Sequence, residues 1–277
     1  MSRRQAISRK LEKYGDVRTM LVAMKNIALM EIHKLNQQIE RQTRLLDTVA
    51  LVADDFSAFY PLPVMKGMDI CICIGTERGF CGDFNTELMP PLYQRQEQGD
   101  RLLIVGSRLG ERLLEKGEFE VISGATVVEE VSAVLERLVI WLEQVQAQAP
   151  DFSINVKVLY QDEVMGGPVS RTVLPLPVSE STRDAHSHKP YLTLDPRIFM
   201  TALGEQSLML SLEGYVTLSL VAENRRRLEH MESALHRLDD RTAGLARRMN
   251  VARQEDVIQE IEAIMLGSGE FDSGLMT

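Results

Sequence analysis

Residues 75–85, GTERGFCGDFN, follow an apolar run from Met68 to Ile74 and carry glycines at 75, 79 and 82. Glycines between a strand and a helix can cradle a phosphate with backbone N–H groups. A catalytic phosphate loop also needs a lysine to balance charge and a hydroxyl to hold magnesium, both just after its last glycine. Here Gly82 is followed by Asp83 and Phe84, and an acid at that point repels phosphate. The spacing also misses the dinucleotide pattern GxGxxG. The stretch therefore reads as a structural strand-to-helix turn at Gly79, Cys81 and Gly82, where glycine permits positive φ and close packing. Its charged groups, Glu77, Arg78 and Asp83, are expected to form a salt-bridged turn. Cys81 at a helix start either has a lowered pKa and reacts or is a small buried thiol, and the two neighbouring glycines favour the second.

Other candidate chemistry is sparse. Of three cysteines, Cys71 and Cys73 stand at i and i+2 on one face of a strand, where a bond between them is strained, so a reducing compartment fits. His186 and His188 lie in a polar loop with no cysteine nearby and read as solvated side chains, not metal ligands. No catalytic residue, metal or cofactor is expected.

A net charge of -9 argues against general nucleic-acid binding, but its distribution is uneven. Residues 1–59 carry ten Lys/Arg against seven Asp/Glu, whereas 60–196 carry twelve against twenty, so a basic beginning precedes an acidic middle. No apolar run approaches the roughly 18–20 residues that span a bilayer, and MSRRQAISRK lacks a signal core. Any membrane association is expected through partners.

All ten prolines lie between 61 and 196, and because proline breaks helices, the two proline-free ends invite a helical reading. From Ile7 through Leu11, Tyr14, Val17, Leu21, Met24, Ala28, Ile32 and Leu35 to Ile39, apolar residues recur by threes and fours; Leu46, Val49, Val52 and Phe56 resume the pattern. Leu228, Met231, Leu235, Leu238, Thr242, Leu245, Met249 and Ala252 form a heptad seam. With no third such segment, the ends are expected to pair with each other as a long antiparallel coiled coil, with helices at about 3–58 and 205–265. Between them, strands are expected at 68–75, 101–106, 119–123, 153–160 and 170–175, and helices at 84–98, 108–117 and 126–148. That alternation implies a Rossmann-like α/β domain with a mostly parallel sheet. The division is 1–59 N-terminal helix, 60–196 α/β domain, and 197–277 C-terminal helix with a flexible tail at 266–277.

Three stretches, TMLVAMKNIALMEIHKL at 19–35, TERGFCGDFN at 76–85 and NVARQEDVIQEIEAI at 250–264, resemble the gamma subunit of F-type ATP synthases. The resemblance covers nearly the whole chain and implies a non-catalytic rotor. One copy of an asymmetric shaft would turn inside a ring of alpha and beta subunits, with the α/β domain meeting the epsilon subunit and the membrane c-ring. Nucleotide chemistry is then implied only in partner chains. The resemblance also implies ring contacts at Met24, Lys25, Arg253, Gln254, Gln259 and Glu260. Two departures, Ile258 for a family threonine and Met30-Glu31-Ile32-His33-Lys34 for a basic run, suggest a divergent or alternate bacterial F-type complex, coupled to H+ or Na+. With no transit segment before Met1, the expected place is the cytoplasmic face of a bacterial inner membrane. Two rival readings are a small-molecule enzyme whose coiled coil dimerises it, and a non-rotating scaffold.

Overall fold

A computed structural model describes residues 3–57, 59–60, 67–113, 119–150, 152–176, 191 and 193–272. The histidines at 186 and 188 lie outside the described residues. The chain divides into two compact units, Met1–Ile27 with Glu229–Thr277, and Ala28–Leu228.

The first unit is a pair of helices, formed by the beginning of α1 (Arg3–Ser57) and the end of α5 (Pro196–Asp272). Partners descend along α5 as they climb along α1: Arg4 meets Asp256 at 3.9 Å, Arg18 meets Asp239 at 2.9 Å, and Lys25 meets Glu232 at 2.7 Å. The pair is therefore antiparallel, and in each bridge the base lies on α1 and the acid on α5. Met231 and Ala252 are buried and the other seam residues of this unit's α5 are half-buried, so the heptad reading holds there. Val17 breaks the pattern on α1, being 43% exposed. A 3.5-residue stripe drifts on a helix of 3.6 residues per turn, so one seam position can rotate outward.

In the second unit, five strands stand in the order β3-β2-β1-β4-β5: β1 (Gly67–Ile74), β2 (Arg101–Val105), β3 (Glu120–Ile122), β4 (Ser153–Asp162) and β5 (Gly167–Leu174). The β1–β2, β1–β4 and β2–β3 pairs are parallel, and only β5 runs antiparallel, on β4. Alternate residues of β1 enter two different cores because side chains alternate across a strand. Ile70, Ile72 and Ile74 pack with Val134, Leu138 and Val145 of α4 (Val131–Gln148), with Leu35 of α1, and with Leu212, Val216 and Leu220 of α5. Cys71 and Cys73 face the opposite core of Phe84, Leu88 and Leu92 from α2 (Phe84–Glu97) and Leu109 and Leu113 from α3 (Ser107–Leu113).

Boundaries moved where local chemistry outweighed periodicity. The last helix begins at Pro196, not near 205, because Asp195 caps it: its Oδ1 accepts the Arg197 N–H at 2.8 Å, and proline at the first position loses no bond. The expected 126–148 helix starts as a 3-10 turn at Val128–Glu130. The tail is helical as far as Asp272.

Candidate functional site

The turn after β1 lies at the carboxyl ends of the parallel strands, the edge at which such sheets bind ligands. Its hub is Glu77. The Oε2 atom accepts the backbone N–H groups of Ser107 at 2.9 Å and Gly124 at 2.7 Å, while Oε1 accepts the Ser107 hydroxyl at 2.8 Å. One carboxylate thus ties together the segments following β1, β2 and β3. The expected salt-bridged turn is corrected here: the carboxylate of Glu77 holds backbone donors. Alongside it, Asn85 accepts the Thr76 N–H at 3.0 Å and donates Nδ2 to the Thr76 hydroxyl at 2.8 Å, closing the turn onto the first residues of α2.

Positive φ falls on Gly82 (57°) and on Phe80 (67°), and Gly79 is not among the left-handed residues. A Cβ at Gly79 or Gly82 would meet nothing within 4 Å. Close approach is needed at the first residue after β1 and across from it. A Cβ on Gly75 would sit 2.5 Å from that of Leu109, and Gly106, at φ 112°, lies against the Gly75 carbonyl. Phe80 instead projects its ring outward at 60% exposure.

Cys81 is buried, its thiol donating to the Gly79 carbonyl at 3.4 Å. Burial, reinforced by nearby Glu223, pushes the thiol pKa up to about 12. The group is the buried thiol of the two readings. Behind it, α5 supplies a buried ion pair: Arg227 bonds Glu223, with side chains 8% and 3% exposed, and its Nη2 also reaches the Cys81 sulfur at 3.5 Å. The Glu77 N–H donates to Glu223 Oε2 at 3.4 Å. Burial pushes the Glu223 carboxyl up, against the opposing pull of Arg227. A cleft of about 250 Å3 opens beside the turn, with Arg78, Arg108 and Arg112 on its wall. Arg108 is engaged by Glu111 and Arg112 by the Thr86 hydroxyl.

The six residues singled out on the helices do not form one cluster. Met24 and Lys25 are half-buried, and Lys25 is bonded to Glu232, whose carboxyl that contact holds below its usual range. Arg253, Gln254, Gln259 and Glu260 are all exposed on α5. Since Lys25 lies level with Glu232, Arg253 is twenty-one residues further along, or about 30 Å at 1.5 Å per residue. Two separate patches result. The departures at 30–34 are split by the fold: Glu31 turns into the α/β region, 6% exposed, to accept the Val128 N–H at 3.2 Å and Lys34 at 3.1 Å. Lys34 also bridges to Glu129 at 3.0 Å, a bond that raises its pKa.

Among known families, residues 3–269 match the one described as ATP synthase. The chain belongs to the ATP synthase gamma-subunit family. That family supplies a non-catalytic stalk subunit. No curated protein matches this gamma-family chain. Solved structures similar to it include a chain of the Euglena gracilis mitochondrial ATP synthase rotor in rotational state 1, at 17% identity and TM-score 0.56, covering 92% of this chain and 98% of that one. A chain of the Euglena OSCP/F1/c-ring assembly in rotational state 3 shares 16% identity at TM-score 0.58, covering 99% and 96%. One from the Tetrahymena thermophila mitochondrial central stalk and c-ring shares 15% at TM-score 0.54, covering 78% and 99%. At these identities the likeness is one of fold.

Sequence reasoning about this gamma-family chain missed the Glu223–Arg227 pair. Its signal was present: Val216 and Leu220 are core residues, and the same helix face continues with an acid at 223 and a base at 227. Glu77's partners are 30 and 47 residues away, and no local pattern announces them.

Proposed function

We propose that this chain is the central-stalk rotor of an F-type ATP synthase, an asymmetric shaft that couples ion flow through a membrane sector to ATP synthesis or hydrolysis in a ring of alpha and beta subunits. The observation that carries the reading is the union of both chain ends in one antiparallel pair, with bases on α1 facing acids on α5. Self-pairing of either helix in that register would set like charges against each other, which disfavours a homodimer. A single pair inside a three-fold ring presents a different face to each catalytic subunit and so biases each site differently, provided those faces bind the site's states unequally.

The family match over residues 3–269 supports this role, as do the similar folds of chains from Euglena rotor and Tetrahymena central-stalk structures. In this reading the α/β region meets the epsilon subunit and the c-ring, and Arg253, Gln254, Gln259 and Glu260 touch the alpha and beta ring, with Met24 and Lys25 forming a second contact. One copy serves each complex. The chain sits peripherally at the cytoplasmic face of a bacterial inner membrane, held there by partners; among the described residues no helix is long and apolar enough to cross a membrane.

The test is reconstitution. Purified alpha and beta subunits should hydrolyse ATP faster when the full chain is added, and a bead attached to the chain should rotate. A chain that alone binds ATP tightly by calorimetry and sediments as a homodimer would instead favour the enzyme reading.

A further inference from the structure

Within the second unit, α1 turns one polar side chain into the helix pair that has nothing to bond. Gln42 is 5% exposed, and neither its Oε1 nor its Nε2 has a hydrogen-bond partner among the described residues. One turn before it, Gln38 donates Nε2 to Glu213 Oε1 at 2.9 Å. One turn after it, Leu46 places Cδ1 3.6 Å from where Gly214 would carry a Cβ. Residues at i and i+4 share a helix face, so Gln42 aims at the same stretch of α5. The level agrees with a second contact: Phe56 packs in a tilted arrangement against Phe199 with ring centroids 4.6 Å apart, and fourteen residues from each brings Gln42 opposite residue 213 of the antiparallel partner.

Approaching that level, α5 carries small residues beside the buried Leu208 and Leu212. Gly204, Ser207, Ser211 and Gly214 follow one another by three, four and three, the spacing of a seam, where the first unit carries Leu235, Leu238 and Leu245 instead. Gly214 offers no side chain, and Glu213 is already engaged by Gln38. A buried amide with no protein partner is costly, and a water bonded to it relieves the cost if the site is polar and has room. The unbonded amide favours this position over Leu35, which is fully buried in the apolar core two turns earlier.

We propose that Gln42 and the small residues around Gly214 form a hydrated joint: a water site inside the α1–α5 pair, at which the pair opens before the apolar turns near Leu35. This concerns the helix pair itself and stands or falls apart from the rotor reading. Local opening of this kind is read directly by amide hydrogen exchange.

The experiment uses the full chain without nucleotide or partner subunits. Amides of 40–48 should exchange about tenfold faster than those of 30–38. Gln42→Met keeps the side-chain length while removing both polar atoms; it should raise the melting temperature and slow exchange at 40–48 by about tenfold, leaving 70–74 in the sheet unchanged. Gln42→Leu should act in the same direction. Wild-type exchange at 40–48 as slow as around Leu35 would overturn the proposal, and so would a lower melting temperature in both variants, which would mean that the amide has a partner worth keeping.

Discussion

Residues 216–227 and 253–265 belong to one unbroken helix, yet they have opposite surroundings. In the first stretch Val216, Thr217, Leu220, Glu223 and Arg227 are buried, and even the charged pair is enclosed by protein. In the second every side chain is exposed, including Val257, Ile258, Ile261, Ile264 and Met265. Helix propensity cannot account for the difference, since both stretches are helical. Tertiary packing dictates the residues of the first stretch. In the second, no side chain is buried; Asp256 meets Arg4 of α1 only at the surface, so burial constrains the choice of residues there far less.

That contrast can be broken from its buried side. Arg227→Met strands the Glu223 carboxylate without its partner and should cost about 3–5 kcal/mol in urea denaturation. Replacing both members, with Glu223→Leu added, should recover much of the loss, because an apolar pair carries no desolvation penalty. Leu35→Ala opens a cavity at a fully buried position and should cost about 2–5 kcal/mol by the same measurement. Val17→Ala, at a comparable seam position that faces outward, should leave the denaturation midpoint nearly unmoved.

A smaller effect is expected at the turn. Glu77→Ala leaves the N–H groups of Ser107 and Gly124 without their acceptor and should cost about 1–3 kcal/mol, with faster exchange at those two amides as the local signature. Asp69 sharpens the comparison through pH. Hydrogen bonds from Asn155 and then Lys157 hold its carboxyl below the usual range, so the folded state takes up its proton less readily than the unfolded chain. The stability it lends is present above the ordinary carboxylate pKa and fades as pH falls below about 4 toward the depressed folded value. Asp69→Asn should therefore flatten the acid limb of a plot of denaturation midpoint against pH. The smallest effect on stability belongs to Arg253→Ala, which should not shift the melting temperature but should reduce the activation of ATP hydrolysis in the reconstituted ring. A loss of stability there would erase the distinction between the two stretches.

The sequence displayed its long-range organisation wherever a repeat carried it. The seam from Leu228 to Ala252 is regular because each turn meets the same environment, and that regularity was enough to infer an antiparallel partner. The isoleucines and cysteines of β1 likewise announced a strand buried on both faces. What stayed hidden was non-repeating. Glu77 is an ordinary acid in the sequence and becomes a hub only when the ends of three strands converge. Glu31 looks like a changed contact residue until the fold turns it inward to Val128. Pro196 closes the proline-bearing middle of the sequence, yet with Asp195 immediately before it the same residue starts a helix.

The three native thiols offer a practical opening. Cys71, Cys73 and Cys81 are all buried, and desolvation raises each pKa far above neutrality, so in the folded chain almost none of this sulfur is present as thiolate. A fourth cysteine introduced on the exposed face of α5 would therefore take up a maleimide dye or a gold particle selectively, with no need to strip the natural ones first. Uptake by Cys71 or Cys73 would then act as an alarm, reporting the moment at which the sheet itself comes apart.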